Sequence, residues 1–118
     1  MDSEELKQRT KVFAVDVIRA VEKFPRNRSG DIIARQIIRS ATSIGANYRA
    51  ACRAQSKAHF ISKLSIVEEE ADETLYWLEL AVESNIAGSD KISNILKEAD
   101  ELTAIFSASR RTARINLK

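Results

Sequence analysis

The chain has 118 residues, of which 44% are hydrophobic and 31% charged, with a formal net charge of +2. That balance is the balance of a soluble globular domain and excludes a disordered or fibrous chain, while no apolar run approaches the ~18 residues that a membrane span needs. Three glycines and one proline are too little punctuation for an all-β or α/β fold, and the abundance of Ala, Leu, Ile, Glu, Lys and Arg predicts long helices.

Four helices are expected in one domain spanning 1–118, over about 4–24, 31–53, 57–84 and 91–108, with a basic tail at 110–118 expected to fray. In the first, Leu6, Phe13, Val17, Val21 and Phe24 recur at helical spacing, and Val12, Val15 and Ile18 add a second apolar face. Pro25 stops it. In the second, Ile33, Ile37, Ile44, Tyr48 and Ala51 form the apolar face, and Arg35, Arg39, Arg49 and Arg53 fall on the opposite pole. A shoulder of small residues, Ala34, Ala41, Gly45 and Cys52, lies between them. A glycine inside a helix costs roughly 1 kcal/mol against alanine, so Ala41, Gly45 and Cys52 are read as a close-packing surface.

Ser56 is positioned to cap the third helix, whose expected stripe is Phe60, Leu64, Val67, Ala71, Leu75, Leu78 and Val82. Off that stripe, Ile66, Trp77 and Leu80 alternate with Glu69 and Glu73, a candidate subunit interface. Ser89 or Asp90 caps the fourth helix, with Ile92, Ile95, Leu96, Ala99, Leu102, Ile105 and Phe106 inside. Four helices with short connections predict an all-α, antiparallel up-down-up-down four-helix bundle, and the apolar lines left off the core predict self-association.

Charge is distributed unevenly. Residues 25–57 carry a net +6 and residues 58–85 a net −6. Arg26, Arg28, Arg35, Arg39, Arg49 and Arg53 are therefore candidates for contact with a phosphate backbone. The only aromatic near them, Tyr48, is on the core face, which argues against base stacking. The competing reading pairs the same arginines with Glu69, Glu73, Glu79 or Glu83 of a neighbouring subunit.

No catalytic constellation is visible. A di-metal bundle site needs Glu-x-x-His motifs, and this chain has one histidine, His59, and no such motif. "GANYR" lacks phosphate-loop spacing, "SATS" lacks the nucleophile elbow, and Cys52 has no base beside it. The reading is a protein that is not an enzyme, with no metal, cofactor or small-molecule substrate and no membrane. A lone cysteine and a charged N-terminus without an apolar leader give the expectation of a cytoplasmic protein.

Residues 36–48, "QIIRSATSIGANY", and 56–79, "SKAHFISKLSIVEEEADETLYWLE", with the preceding Phe24-Pro25, resemble the bacterial four-helix bundle proteins encoded by intervening sequences within 23S ribosomal RNA genes. The resemblance covers roughly residues 12 to 85 and includes the run Glu70, Glu73, Tyr76, Trp77. It implies an antiparallel bundle that assembles as a homo-oligomer, typically a pentamer. A related group, the accessory proteins of diversity-generating retroelements, shares the architecture and binds nucleic acid and a reverse transcriptase. One departure is Ala50, where the family often carries a glutamate. The functional expectation is a non-enzymatic, oligomeric protein associated with structured or ribosomal RNA through its arginine face. The alternative is an oligomeric scaffold that binds a protein and contacts no nucleic acid.

Overall fold

The computed structural model describes residues 1–117. It consists of four helices, α1 (Ser3–Val21), α2 (Arg28–Cys52), α3 (Lys57–Glu83) and α4 (Ser89–Leu117), and the described residues contain no strand. Each helix packs on the next in sequence, and α4 packs back on α1, giving a body of 48 × 21 × 19 Å around one apolar core.

Local chemistry sets the helix ends. Asp2, Asn27 and Ser56 each stand in extended backbone and accept a hydrogen bond from the N–H three residues on, at 2.8, 2.8 and 3.1 Å. The cap at Asn27 starts α2 at Arg28, three residues before the expected Asp31. Gly30 reads as a loop glycine in the sequence, yet it lies in the first turn of α2. A Cβ there would sit 2.1 Å from the carbonyl oxygen of Pro25, so only glycine lets the incoming loop press against the helix. Helix α1 ends at Val21 rather than Phe24, and Phe24 still buries its ring from the following turn. At the end of α3, Asn85 takes φ +64°. The Asn85 N–H donates to Val82 O at 3.0 Å and the Ile86 N–H to Ala81 O at 2.9 Å, the paired bonds of a Schellman cap.

The core is close to the expected one, with a correction in α3. Its buried positions are Ile61, Leu64, Val67, Ala71, Thr74, Leu78 and Ala81. Phe60, Leu75 and Val82 are only half-buried. From Leu64 onward the interior follows a strict alternation of three- and four-residue steps, which selects Thr74 and Ala81 over their larger neighbours. Thr74 can be interior because its hydroxyl lies 2.8 Å from Ser40 Oγ and 2.7 Å from the Glu70 carbonyl. Thr10 and Ser40 are buried the same way, bonded to carbonyls of their own helices. Ile33, Ile95, Leu96 and Ile105 pack at the margin of the core rather than inside it.

The small shoulder of α2 lies against α1. A Cβ on Gly45 would meet the Thr10 side chain at 3.1 Å, and Ala41 beside it is wholly buried. Cys52 is half-buried at the far end of α2 beside Phe60 and Ala113. Its neighbour Tyr48 packs on Phe106 with ring centroids 5.3 Å apart. Burial, reinforced by the Cys52 thiol, pushes the Tyr48 phenol well above its ordinary range.

Helix α1 meets α4 over a shorter stretch than any other adjacent pair, and a charged clamp holds them there. Arg9 donates to both oxygens of Glu98, at 2.6 and 2.7 Å, and to Glu101 at 3.2 Å. The basic tail, expected to fray from residue 110, is helical through Leu117. Arg110 pairs with Glu68 of α3, and Ala113 packs against the core.

Gly30→Ala should destabilise the protein by more than 2 kcal/mol, since the new methyl group meets rigid backbone. Gly45→Ala should change stability little, because the gain in helix propensity offsets a tight contact, whereas Gly45→Leu should cost about 1–3 kcal/mol. Thermal unfolding of the three variants checks this order.

The clamps also predict an acid response. The hydrogen bond from Arg9 holds the Glu98 carboxyl below its usual range, and that from Arg110 does the same to Glu68. Their stabilisation is therefore complete above the ordinary carboxylate pKa of about 4.3 and is lost as pH falls through the lower folded values. Glu98→Gln should lower stability at pH 7 by about 1 kcal/mol, with the deficit shrinking as the pH is taken below about 4. Unfolding midpoints measured across that pH range test it.

Candidate nucleic-acid interface

The six arginines singled out in the sequence separate into two groups. Arg26, in the loop before α2, pairs with Asp31 in the first turn of that helix at 3.2 Å. Arg39 reaches across to α3, where it pairs with Glu73 and lies 3.4 Å from Glu70. Glu73 in turn accepts the indole N–H of Trp77 at 2.9 Å. The sequence offered Glu73 as an acid of a neighbouring subunit; for Arg39 that acid is within the chain, one helix away. Glu73 and Trp77, candidate interface residues in the sequence, thus already have partners within the chain. Trp77 packs against the core of its own bundle, and Tyr76 lies edge-on to it with centroids 5.2 Å apart. Ile66 and Leu80 are half-buried and Glu69 is exposed.

Arg28, Arg35, Arg49 and Arg53 are exposed, and among the described residues they make no ion pair. Two of them do not stand alone. Arg49 and Arg53 form one wall of a groove of about 470 Å³ between α2 and α1, with Lys7 and Lys11 on the opposite wall. Its floor is small, with Ala14, Gly45 and Ala46, and its one acid is Glu4, 3.0 Å from Lys7. On each wall the cations are one helical turn apart, about 6 Å along the axis. The glycine that lets α1 approach α2 therefore also brings four cations from two helices to one groove. The sequence reading found the arginines and missed Lys7 and Lys11, although their spacing with Ala14 on one line of α1 was available.

Arg35 lines a smaller groove of about 310 Å³ together with Arg26, Glu22 and Asp31, so the charge there is balanced. On α3, Glu69, Asp72, Glu79 and Glu83 are exposed without an ion-pair partner among the described residues. His59 is exposed in the first turn of α3. Among the described residues no group of three or more His, Cys, Asp or Glu is placed to hold a metal ion, and no helix is long and apolar enough to cross a membrane.

The architecture is that of an all-α four-helix protein with a charged outer surface. The chain belongs to the family of 23S rRNA-intervening sequence proteins, whose family model matches residues 3–108. It is also similar to the crystal structure of a protein of unknown function from the S23 ribosomal protein family of Bacteroides thetaiotaomicron. The two agree with a TM-score of 0.85 and 33% identity over 94% of this chain and 99% of the other. Among curated proteins no match is found.

If Arg39 is a structural residue, Arg39→Glu should cost about 1 kcal/mol in thermal or urea unfolding, and adding Glu73→Arg should recover part of it. Arg53→Glu, with no partner to lose, should stay within about 0.5 kcal/mol of the parent.

Proposed function

We propose that the protein is a non-enzymatic, single-domain antiparallel four-helix bundle that self-associates and binds structured RNA through its phosphate backbone. The observation that carries the RNA reading is the α1–α2 groove, where Lys7, Lys11, Arg49 and Arg53 face one another against a single acid. A backbone-directed site needs clustered, accessible cations and no aromatic platform; this groove has no aromatic lining residue, and of its four cations only Lys7 has an ion-pair partner among the described residues. Arg28 and Arg35 extend the same helix toward its start. The name of the family points the same way.

Antiparallel topology is supported by which helix ends share a groove. Lys7 and Lys11 near the start of α1 lie with Arg49 and Arg53 at the end of α2, and Val21 at the end of α1 lies with Gly30 and Asp31 at the start of α2. Arg19 and Ala20 near the end of α1 likewise lie with Lys91 and Ile92 at the start of α4, and Phe60 and Ile61 at the start of α3 lie with Thr112 and Ala113 near the end of α4. Self-association is supported by apolar groups left on the surface: Val12, Val15 and Ile18 on one face of α1, with Ile32 and Tyr76 elsewhere. The exposed acids of α3 and the basic face of α2 are complementary, which favours a head-to-tail contact between copies. That complementarity is also what favours the second reading, a scaffold whose arginines serve only subunit contacts.

An electrophoretic shift series with a structured RNA, run against salt, tests the proposal. Arg49→Glu with Arg53→Glu should weaken binding for all RNA sequences alike and reduce the salt slope by roughly one unit per lost contact. Light scattering should show the same assembled species before and after. Loss of the assembly in the double variant, with no RNA affinity in the parent, would establish the scaffold reading instead.

A further inference from the structure

We propose that a second groove, between the C-terminal half of α1 and the start of α4, binds a small amphiphilic anion: an acyl or aryl group bearing a carboxylate or phosphate head. The groove has a volume of about 800 Å³, within the ~300–1,000 Å³ typical of ligand sites. It lies on the seam between α1 and α4, the least extensive helix contact in the molecule. Here Ile92 leaves helical geometry, with φ −119° and ψ 15°, and the chain enters α4 through Ile86, Ala87 and Gly88.

The lining combines two chemistries. Ala20, Phe24, Ala87, Ile92 and Ile95 supply apolar surface. Arg19, Lys23 and Lys91 supply three cations, and Asp16 is the one acid among the lining residues. Among the described residues none of these three cations has an ion-pair partner. Arg19 stands in the last turn of α1, Lys23 in the turn that follows it, and Lys91 on α4, so an anionic head would be attracted from both walls at once.

The other grooves lack this combination. The α1–α2 groove is cationic over a floor of glycine, alanine and threonine, which suits a polyanion with no apolar part. The groove beside Cys52, Phe60 and Ala113 is mainly apolar and holds one cation, Lys57. A neutral apolar ligand would leave the three cations of the α1–α4 groove unused, and an inorganic anion would leave its apolar lining wet. An amphiphile satisfies both, and it would tie α1 to α4 where the protein's own contacts are sparse.

The test uses the full chain labelled with ¹⁵N and three probes: decanoate, decanol and inorganic phosphate. Decanoate should shift the amides of residues 19–24 and 86–95 saturably and bind at least tenfold more tightly than decanol, while phosphate alone should give no saturable shift. Lys23→Gln with Lys91→Gln should lower decanoate affinity at least tenfold. Ala87→Trp, which fills the groove and leaves its charges in place, should lower it as well, with circular dichroism confirming that both variants are folded. Equal affinity for decanol, phosphate binding as tight as that of decanoate, unchanged affinity in the folded variants, or shifts spread outside the groove would each overturn the proposal. So would a dilution series in which these amides change because a second copy leaves the groove.

Discussion

The close approach of α1 to α2 at Gly45 is the constraint on which much of the molecule depends. With no side chain at that position, Thr10 can face the α2 backbone, burying its hydroxyl against the carbonyls of Leu6 and Lys7. That approach fixes the register of α1, and with it the places where Arg9 meets Glu98 and where Lys7 and Lys11 face Arg49 and Arg53. A larger residue would separate the two walls of the groove and shift the clamp to α4 together. Fold and candidate site thus share one packing contact.

The second organising element is the opposition between a basic α2 and an acidic α3. Side by side in one bundle, the two helices are expected to neutralise each other, and in part they do. Arg39, Glu70, Glu73 and Trp77 form one connected set across the α2–α3 seam. Buried hydroxyls of Ser40 and Thr74 lie next to it, so this seam is held by polar contacts as well as apolar ones. The pairing consumes one arginine of the α2 face and leaves Arg28, Arg35, Arg49 and Arg53 available, while Glu69, Asp72, Glu79 and Glu83 remain on the outside of α3. Surplus charge of both signs on one small protein, held by different residues on different helices, is compatible with a nucleic-acid partner and with contact between copies.

Helical periodicity made most of the fold legible in the sequence. The faces of α1 and α2 could be read directly, because apolar side chains alternate there with charges and there is little ambiguity about which way each helix turns. The reading slipped where a polar or small residue occupies the interior. Thr74 and Ala81 look less suited to a core than Leu75 and Val82, and only the hydroxyl network across to Ser40 shows why Thr74 is preferred. Gly30 looked like a loop because the contact that demands glycine, the Pro25 carbonyl, comes from outside the helix. The site was legible one helix at a time. A wheel finds four arginines on α2 but cannot show that Glu73 takes one of them, nor that two lysines from α1 complete the groove, since both facts depend on how neighbouring helices are set against each other.

Lysine footprinting of the protein in the presence and absence of a structured RNA tests the central claim most directly, because it reads residues that no α2 variant touches. If RNA lies in the α1–α2 groove, Lys7 and Lys11 will be protected from acetylation at low salt and will lose that protection as salt rises, while Lys63 on α3 and Lys97 on α4 react as before. Full reactivity of Lys7 and Lys11 in an RNA complex, with protection confined to other lysines, would contradict it.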